Sequence, residues 1–317
     1  MHRFEYFYMN TAELLDKVFA IYKKTFWLQM ARAMIFGIPA YILLAIYVFA
    51  GVVLFGVASF GGDVSIGVSL AVFILLFVIG LLLWQAVSIT GNFALSKQAF
   101  YGNIPTLDMM CKEIKKNFLR VFTALFAILI LAVFIIGLII LAMIYIIIPV
   151  GRDINFYRDI SISYGAQIAI IVGLIVLSLL AAAFIVLTFQ TLTSFAVPCA
   201  IFEKKMFFSA VIRSVSVVKG DFRKIFGTYF LWFMIYLIIS YSLMVIYYIA
   251  TGSFTNILGL FTGHYTTGPG VFAMDYMVSI IISLVLSPFG GILTTTIYFN
   301  QLIKKVGLDI EIELGRG

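Results

Sequence analysis

Six long apolar runs limit what this chain can fold into. Each run exceeds the length of about 20 residues that a helix needs to cross a hydrocarbon core about 30 Å thick. Hydrophobic residues occupy 63% of the 317 positions and charged residues only 11%, so a soluble fold would expose one continuous apolar patch. Within lipid, only helices and closed barrels satisfy their own backbone hydrogen bonds. The runs are longer than barrel strands and do not alternate, which predicts an all-α polytopic membrane protein with six transmembrane helices. The predicted spans are Met34–Ala58, Ile66–Thr90, Val121–Val150, Ile168–Val197, Phe226–Thr251 and Tyr276–Leu302.

Lysine and arginine are distributed unevenly between the two sides of these spans. Nineteen of the 21 lie in the N-terminal segment, in the loops after the second and fourth spans, and in the C-terminal tail. Only Arg152 and Arg158 lie in the opposite loops. Because cations are enriched on the cytoplasmic side of membrane proteins, both termini are predicted to be cytoplasmic. The first 25 residues lack the apolar core and the cleavage site of a signal peptide.

Three basic segments share one pattern, with apolar positions at helical spacing and cations just before a phenylalanine. Each is predicted to be an amphipathic helix at the cytoplasmic membrane surface that precedes a transmembrane hairpin. The chain is therefore predicted to be one membrane domain, 1–317, with repeat units 10–95, 104–200 and 206–303, a tail 304–317 and approximate threefold pseudosymmetry. The alternative is that any helix re-entering this interface must be basic and amphipathic, without a repeat. The segments are LLDKVFAIYKKTFW from Leu14, TLDMMCKEIKKNFLRVF from Thr106 and SAVIRSVSVVKGDFRKIF from Ser209, aligned on Phe26, Phe118 and Phe222.

Polar side chains cluster in the cytoplasmic halves of the second, fourth and sixth spans. If the repeats surround an axis, these side chains converge on a polar cavity that is open to the cytoplasm and holds a lipid headgroup or a small polar ligand. The alternative is interhelical hydrogen bonding, worth about 0.6 kcal/mol for each side chain. The candidate residues are Gln85, Asn92, Gln190, Thr193, Asn300 and Gln301.

Two ionisable residues of the loop after the fourth span form a second candidate site. Arg213 lies within an amphipathic segment and close to Glu203. Its guanidinium is predicted either to hold a phosphate of an anionic lipid or to form a structural ion pair with Glu203. Within the spans, ionisable residues are nearly absent. Arg32 and Asp275 are placed at span ends, where their side chains are expected to reach the interface.

Enzyme and cofactor signatures are missing from the sequence. It contains no phosphate-binding loop, no HExxH motif and no nucleophile elbow. Two histidines and two cysteines match no metal-ligand spacing, and Cys111 and Cys199 are expected to be reduced thiols. The chain is predicted to have no enzymatic activity, no cofactor and no nucleic-acid partner. Its expected partners are membrane lipids, including anionic ones, and other membrane proteins of the cell envelope.

The segment from Pro198 to Gly227 resembles part of a known family. With LLDKVFAIYKKTF from Leu14 and TTTIYFNQLIKKVGLDIE from Thr294, it is similar to the bacterial and archaeal multi-pass proteins grouped with the membrane domain of glycerophosphoryl diester phosphodiesterases. The resemblance implies a prokaryotic plasma membrane and a link to phospholipid or envelope metabolism. The chain is expected to be a stand-alone member, without the soluble phosphodiesterase domain. The matching motifs are P-C-A-I-F-E at Pro198–Glu203, A-V-I-R-S at Ala210–Ser214, K-G at Lys219–Gly220 and I-F-G at Ile225–Gly227.

These observations predict a non-enzymatic accessory or scaffold protein of the cell envelope that binds anionic lipid. One alternative is a transporter or permease-like subunit that moves a lipid or small amphiphile through the polar cavity. Another is a protein that protects the cell against a membrane-active peptide.

Overall fold

The chain forms long helices. The computed structural model describes residues 9–61, 64–152, 164–251 and 269–306, and no strand occurs among them. Six helices are long and apolar enough to cross a membrane, as many as the sequence predicts. The predicted tail beyond Val306 lies outside the described residues. The helices are α1 (Thr11–Gly61), α2 (Val64–Phe100), α3 (Leu107–Arg152), α4 (Tyr164–Thr193), α5 (Ala196–Phe202), α6 (Phe207–Val218), α7 (Phe222–Ala250) and α8 (Pro269–Val306).

The six long helices close into a ring. Going round the ring, α1 contacts α2, α2 contacts α3, α3 contacts α4, α4 contacts α7, α7 contacts α8, and α8 contacts α1. The short helices α5 and α6 pack against each other and against α3 at one end. We call this end the basic end, because Lys23, Lys115, Lys224 and Lys305 lie there. The ring leaves a central space whose walls come from helices far apart in sequence.

The three predicted interfacial helices differ from one another in the structure. The first two are the N-terminal parts of α1 and α3, which continue into the spans without a break. Only the third, α6, is a separate helix, and it ends before Gly220. The aligned positions hold Lys24 and Lys116 in the continuous helices. Because glycine is about 1 kcal/mol less favourable than alanine inside a helix and lysine is nearly as good as alanine, the break occurs where the glycine stands.

The helix of the fourth span is interrupted before the predicted end at Val197, because the chain turns at Ser194 and Phe195 before α5 begins. Pro198 has no N–H to donate to the carbonyl four residues before it, which favours a break at this point. The buried hydroxyl of Ser214 on α6 bridges the break. It donates to the carbonyl of Leu192 (2.6 Å) and accepts from the N–H of Phe195 (3.1 Å). A side chain from another helix therefore satisfies two of the backbone groups at the break.

Buried residues are concentrated at the basic end. Val18 of α1, Phe100 of α2, Phe195 at the break, Val218 of α6 and Tyr298 of α8 belong to one apolar cluster, which we call the basic-end core. The opposite halves of the long helices instead expose large apolar side chains on their outer faces. This is the pattern of helices whose far halves face lipid rather than protein.

Candidate functional site

A central cavity of about 650 Å³ lies within the ring, next to the basic-end core. Its described lining comes from α1, α2, α4, α7 and α8, with Ser194 at the break and Val197 of α5. The cavity brings together residues that the chain separates by as many as 262 positions, from Arg32 to Thr294. Such a space among helix faces is a common place for ligands to bind.

One wall of the cavity is polar. Gln85, Ser88 and Asn92 lie on one face of α2, since they are spaced by three and four residues. Arg32 of α1 and Thr294 of α8 lie on the same side of the ring, where α1, α2 and α8 contact one another. Because Arg32 is the only charged residue in the described lining, it dominates the electrostatics of the cavity.

Arg32 is buried, and this corrects the expectation that it reaches the interface at a span end. Its side chain is only 3% exposed. Its Nε donates to Oε1 of Gln29 (3.0 Å), and its Nη1 donates to the carbonyl and the hydroxyl of Ser88 (2.9 and 3.0 Å). None of the ion pairs among the described residues involves Arg32.

A buried amide network supports the polar wall. Nε2 of Gln29 donates to Oδ1 of Asn92 (3.2 Å), and Nδ2 of Asn92 donates to the carbonyl of Pro288 (3.3 Å). The helices approach closely here, since a Cβ on Gly291 would stand 2.2 Å from that Nδ2. The network therefore fixes α1, α2 and α8 around Arg32.

The opposite wall is aromatic along α7, while α4 adds the polar Gln190 and Thr191. Phe226, Phe230 and Phe233 lie along α7, and Leu187 of α4 faces the same space. The rings of Phe226 and Phe230 stack with centroids 6.5 Å apart. The cavity thus combines a cationic, amide-rich wall with an aromatic wall, which suits a ligand with a polar and an apolar part.

The basic-end core lies between the cavity and the basic end. On α1, α2 and α8, the inward-facing residues at least one turn beyond the lining are buried; Ile21, Ala99 and Phe299 are examples. The expected opening toward this end is therefore filled by packed side chains. Close packing of this kind leaves no room for water or ligand to pass.

The structure places three of the six candidate cavity residues on the lining, namely Gln85, Asn92 and Gln190. The other three are buried elsewhere, at Thr193, Asn300 and Gln301.

Two of these buried residues bind backbone groups. Asn300 accepts from the N–H of Met9 (2.8 Å) and donates to its carbonyl (3.1 Å). Thr193 donates to the carbonyl of Phe189 (2.9 Å). Asn300 thus joins α8 to Met9, which precedes α1, and Thr193 bonds within its own helix. Neither bond joins two helices, so these two residues do not show the interhelical hydrogen bonding that was the alternative.

The second candidate site is a structural ion pair in this structure. Nε of Arg213 donates to Oε2 of Glu203 (2.7 Å), while Oε1 of Glu203 accepts from the hydroxyl of Tyr298 (2.9 Å). Donation of this hydrogen bond to the Glu203 carboxylate raises the pKa of Arg213 above its ordinary value. This ion pair joins α6 to the end of α5.

The other residues that could bind a metal or react chemically are not clustered in the described part of the chain. No cluster of three His, Cys, Asp or Glu side chains that could hold a metal occurs in that part of the chain. Cys111 is exposed and Cys199 is buried, and both are free thiols. Asp275 lies near the start of α8, where it accepts from the hydroxyl of Tyr248 (3.2 Å).

Sequence reasoning missed Arg32, although one signal could have found it. Aligning the three basic segments on their phenylalanines places Arg32 with Ala124 and Thr228. All three positions are buried in the structure. A cation that aligns with alanine and threonine stands at an inward-facing position, which hydropathy alone does not reveal.

Comparison with known proteins identifies no relative of this chain. No family model, no curated protein and no solved structure matches this chain. The resemblance to the membrane domain of glycerophosphoryl diester phosphodiesterases therefore stays a prediction.

Proposed function

We propose that this chain is an integral membrane protein that binds a lipid or small amphiphile in its central cavity. The observation that carries the proposal is the pairing of a polar wall around Arg32 with an aromatic wall on α7, inside a ring of helices apolar enough to cross a membrane. The polar wall matches a headgroup, and the aromatic wall matches an acyl chain or another apolar part of the ligand.

The setting that we propose is the plasma membrane of a prokaryote, with both termini in the cytoplasm. Support comes from the uneven distribution of lysine and arginine, 19 of 21 in the segments assigned to one side. The family resemblance points in the same direction. We further infer a non-enzymatic role in the cell envelope, in which lipid binding serves an accessory or scaffold function.

We also propose that the ring descends from three repeated units, each a basic helical segment followed by a hairpin. Support comes from burial at aligned positions. Val18, Met110 and Ser214 align and are all buried. The order of the helices around the ring also follows their order in the chain, as three consecutive hairpins would require.

Filling the cavity tests the proposed function. Gly290 lines the cavity, and a Cβ there meets nothing within 4 Å, so Gly290→Phe adds volume to the cavity without a backbone clash. Gly137 on α3 also has open space around it but lies outside the lining, so Gly137→Phe is the matched control. Both proteins are purified in mild detergent, and the lipid that co-purifies is quantified by mass spectrometry.

We expect wild type and Gly137→Phe to retain tightly bound lipid and Gly290→Phe to lose most of it. Equal lipid content in all three proteins, or none in wild type, would contradict the proposal. Reconstituted vesicles then separate binding from the permease alternative. If wild type moves a labelled lipid between the leaflets and Gly290→Phe abolishes this movement, the protein is a transporter rather than a static lipid-binding protein.

A further inference from the structure

Arg32 identifies the chemical class of the ligand. We propose that its guanidinium binds an oxyanion, a phosphate or a carboxylate, carried by the amphiphile in the cavity. The inference rests on the proposed function and deepens it, since it specifies the charge of the bound headgroup. Three facts carry it: the hydrogen-bond inventory of Arg32, the absence of a partner carboxylate among the described residues, and the residues at its aligned positions.

The hydrogen bonds of Arg32 leave part of the guanidinium free. Nε is occupied by Gln29, and Nη1 is occupied by the two oxygens of Ser88. Nη2 has no acceptor among the described residues, although Arg32 lines the cavity. A guanidinium has five N–H donors, so two remain for a ligand. The protein contacts fix the plane of the group and leave Nη2 to the ligand.

The charge of Arg32 needs a partner. Arginine does not deprotonate in proteins, so a buried guanidinium stays positive. Removing such a charge from water is costly unless an opposite charge approaches it. No Asp or Glu occurs in the described lining, and no described carboxylate pairs with Arg32. An anionic ligand supplies the missing charge.

The aligned positions show that the architecture does not require a cation here. Ala124 on α3 is 0% exposed and Thr228 on α7 is 3% exposed, both as buried as Arg32. Apolar or neutral side chains therefore fill the equivalent places in the other two units. Of the three aligned positions, only that of Arg32 carries a charge and adjoins the polar wall of the cavity. Binding of a ligand therefore accounts for an arginine at this position, whereas packing does not.

The surroundings of Arg32 fit an oxyanion attached to an apolar body. Gln85 lies one turn from Ser88 on α2, and Gln190 faces the cavity from α4. The amide groups of both side chains make no hydrogen bond within the described part of the chain, so they are available as donors to further oxygens. Phe230 and Phe233 offer apolar contact to the remainder of the ligand.

Binding of matched probes to the purified full chain tests this inference. Dioleoylphosphatidate and dioleoylglycerol have the same acyl chains and differ by a phosphate. Oleate supplies a carboxylate, and inorganic phosphate supplies an oxyanion without an apolar part. Affinities are measured by native mass spectrometry and by the ligand-dependent rise in the unfolding temperature. The variants are Arg32→Gln, Arg32→Lys, and the control Arg223→Gln, which removes an exposed cation outside the lining.

We expect wild type and Arg223→Gln to bind phosphatidate or oleate at least about tenfold more tightly than dioleoylglycerol, as charge-assisted hydrogen bonds require. Arg32→Gln should lose this preference and keep its affinity for dioleoylglycerol, whereas Arg32→Lys should keep part of it. The comparison of probes on wild type needs no variant, so it decides the question even if Arg32→Gln does not fold.

The outcomes separate this inference from the proposed function. Equal binding of phosphatidate, oleate and dioleoylglycerol to wild type would overturn the anionic ligand and leave the amphiphile cavity in place. A preference that survives in Arg32→Gln would also overturn it. Failure of every acyl probe to bind would overturn the proposed function itself. If inorganic phosphate binds and does not compete with any acyl probe, the ligand is a free oxyanion. That result would contradict the proposal that the oxyanion belongs to an amphiphile.

Discussion

Replacing Ser214 by alanine should destabilise the fold far more than an ordinary surface change on the same helix. The Ser214 hydroxyl is the partner of both the Phe195 N–H and the Leu192 carbonyl at the break between α4 and α5. Ser214 is 0% exposed, so water does not replace it. Leaving a buried donor or acceptor without a partner costs about 1–3 kcal/mol each, and the higher helix propensity of alanine returns about 0.5 kcal/mol. For the two groups together we therefore expect the free energy of unfolding to fall by about 1.5–5.5 kcal/mol.

Ser216→Ala is the matched control, because it makes the same chemical change two residues away. The Ser216 hydroxyl is exposed and donates only to the carbonyl of Arg213 (2.8 Å), so we expect a change within about 0.5 kcal/mol. Unfolding of both variants in mixed micelles, with increasing SDS and helicity followed by circular dichroism, gives the comparison. If Ser214→Ala unfolds together with Ser216→Ala, the hydroxyl bridge does not stabilise the break and our account of it is wrong.

Two further predictions concern the cavity wall and the ion pair. Gly291→Ala should destabilise the protein by about 1–3 kcal/mol, because the new Cβ collides with Asn92. Gly137→Ala, which has open space around it, should stabilise the protein by up to about 1 kcal/mol. If thermal unfolding shows changes of the same sign for both variants, this reasoning is wrong. Arg213→Gln should change stability by no more than about 1 kcal/mol and leave the co-purified phospholipid at the wild-type level, because Glu203 already pairs with the partly exposed guanidinium. Loss of bound lipid in Arg213→Gln would indicate that Arg213 contributes to lipid binding.

The number and apolar character of the long helices could be predicted from the sequence, because span length depends only on local composition. The breaks between helices were harder to place. The predicted fourth span ran to Val197, although Pro198 and the buried hydroxyl of Ser214 end the helix at Thr193. That hydroxyl comes from a different helix, and hydropathy carries no information about such a partner.

The candidate site was predicted in part. Gln85 and Asn92 lie on the cavity because polar residues spaced along one helix face share a direction, which spacing alone reveals. Asn300 was assigned to the same group by the same argument, yet it binds the backbone of Met9, a segment 291 positions away. Polarity indicates that a buried side chain needs a partner, but the fold decides whether that partner is a ligand or the chain itself.

The two arginines of interest show why burial and pairing, rather than position in the sequence, decide which cation is available to a ligand. Arg213 stands out in the sequence by its place in a basic, amphipathic segment, but it is 39% exposed and paired with Glu203. Arg32 was expected at an interface because hydropathy placed the first span after it, but α1 has no break between Lys24 and Met34 and carries it inside the ring. Because Arg32 is the only charged residue in the described lining, the cavity has a single cationic side. If the proposed ligand binds, we expect it to take one orientation, with its anionic end at α1 and α2 and its apolar part toward α7.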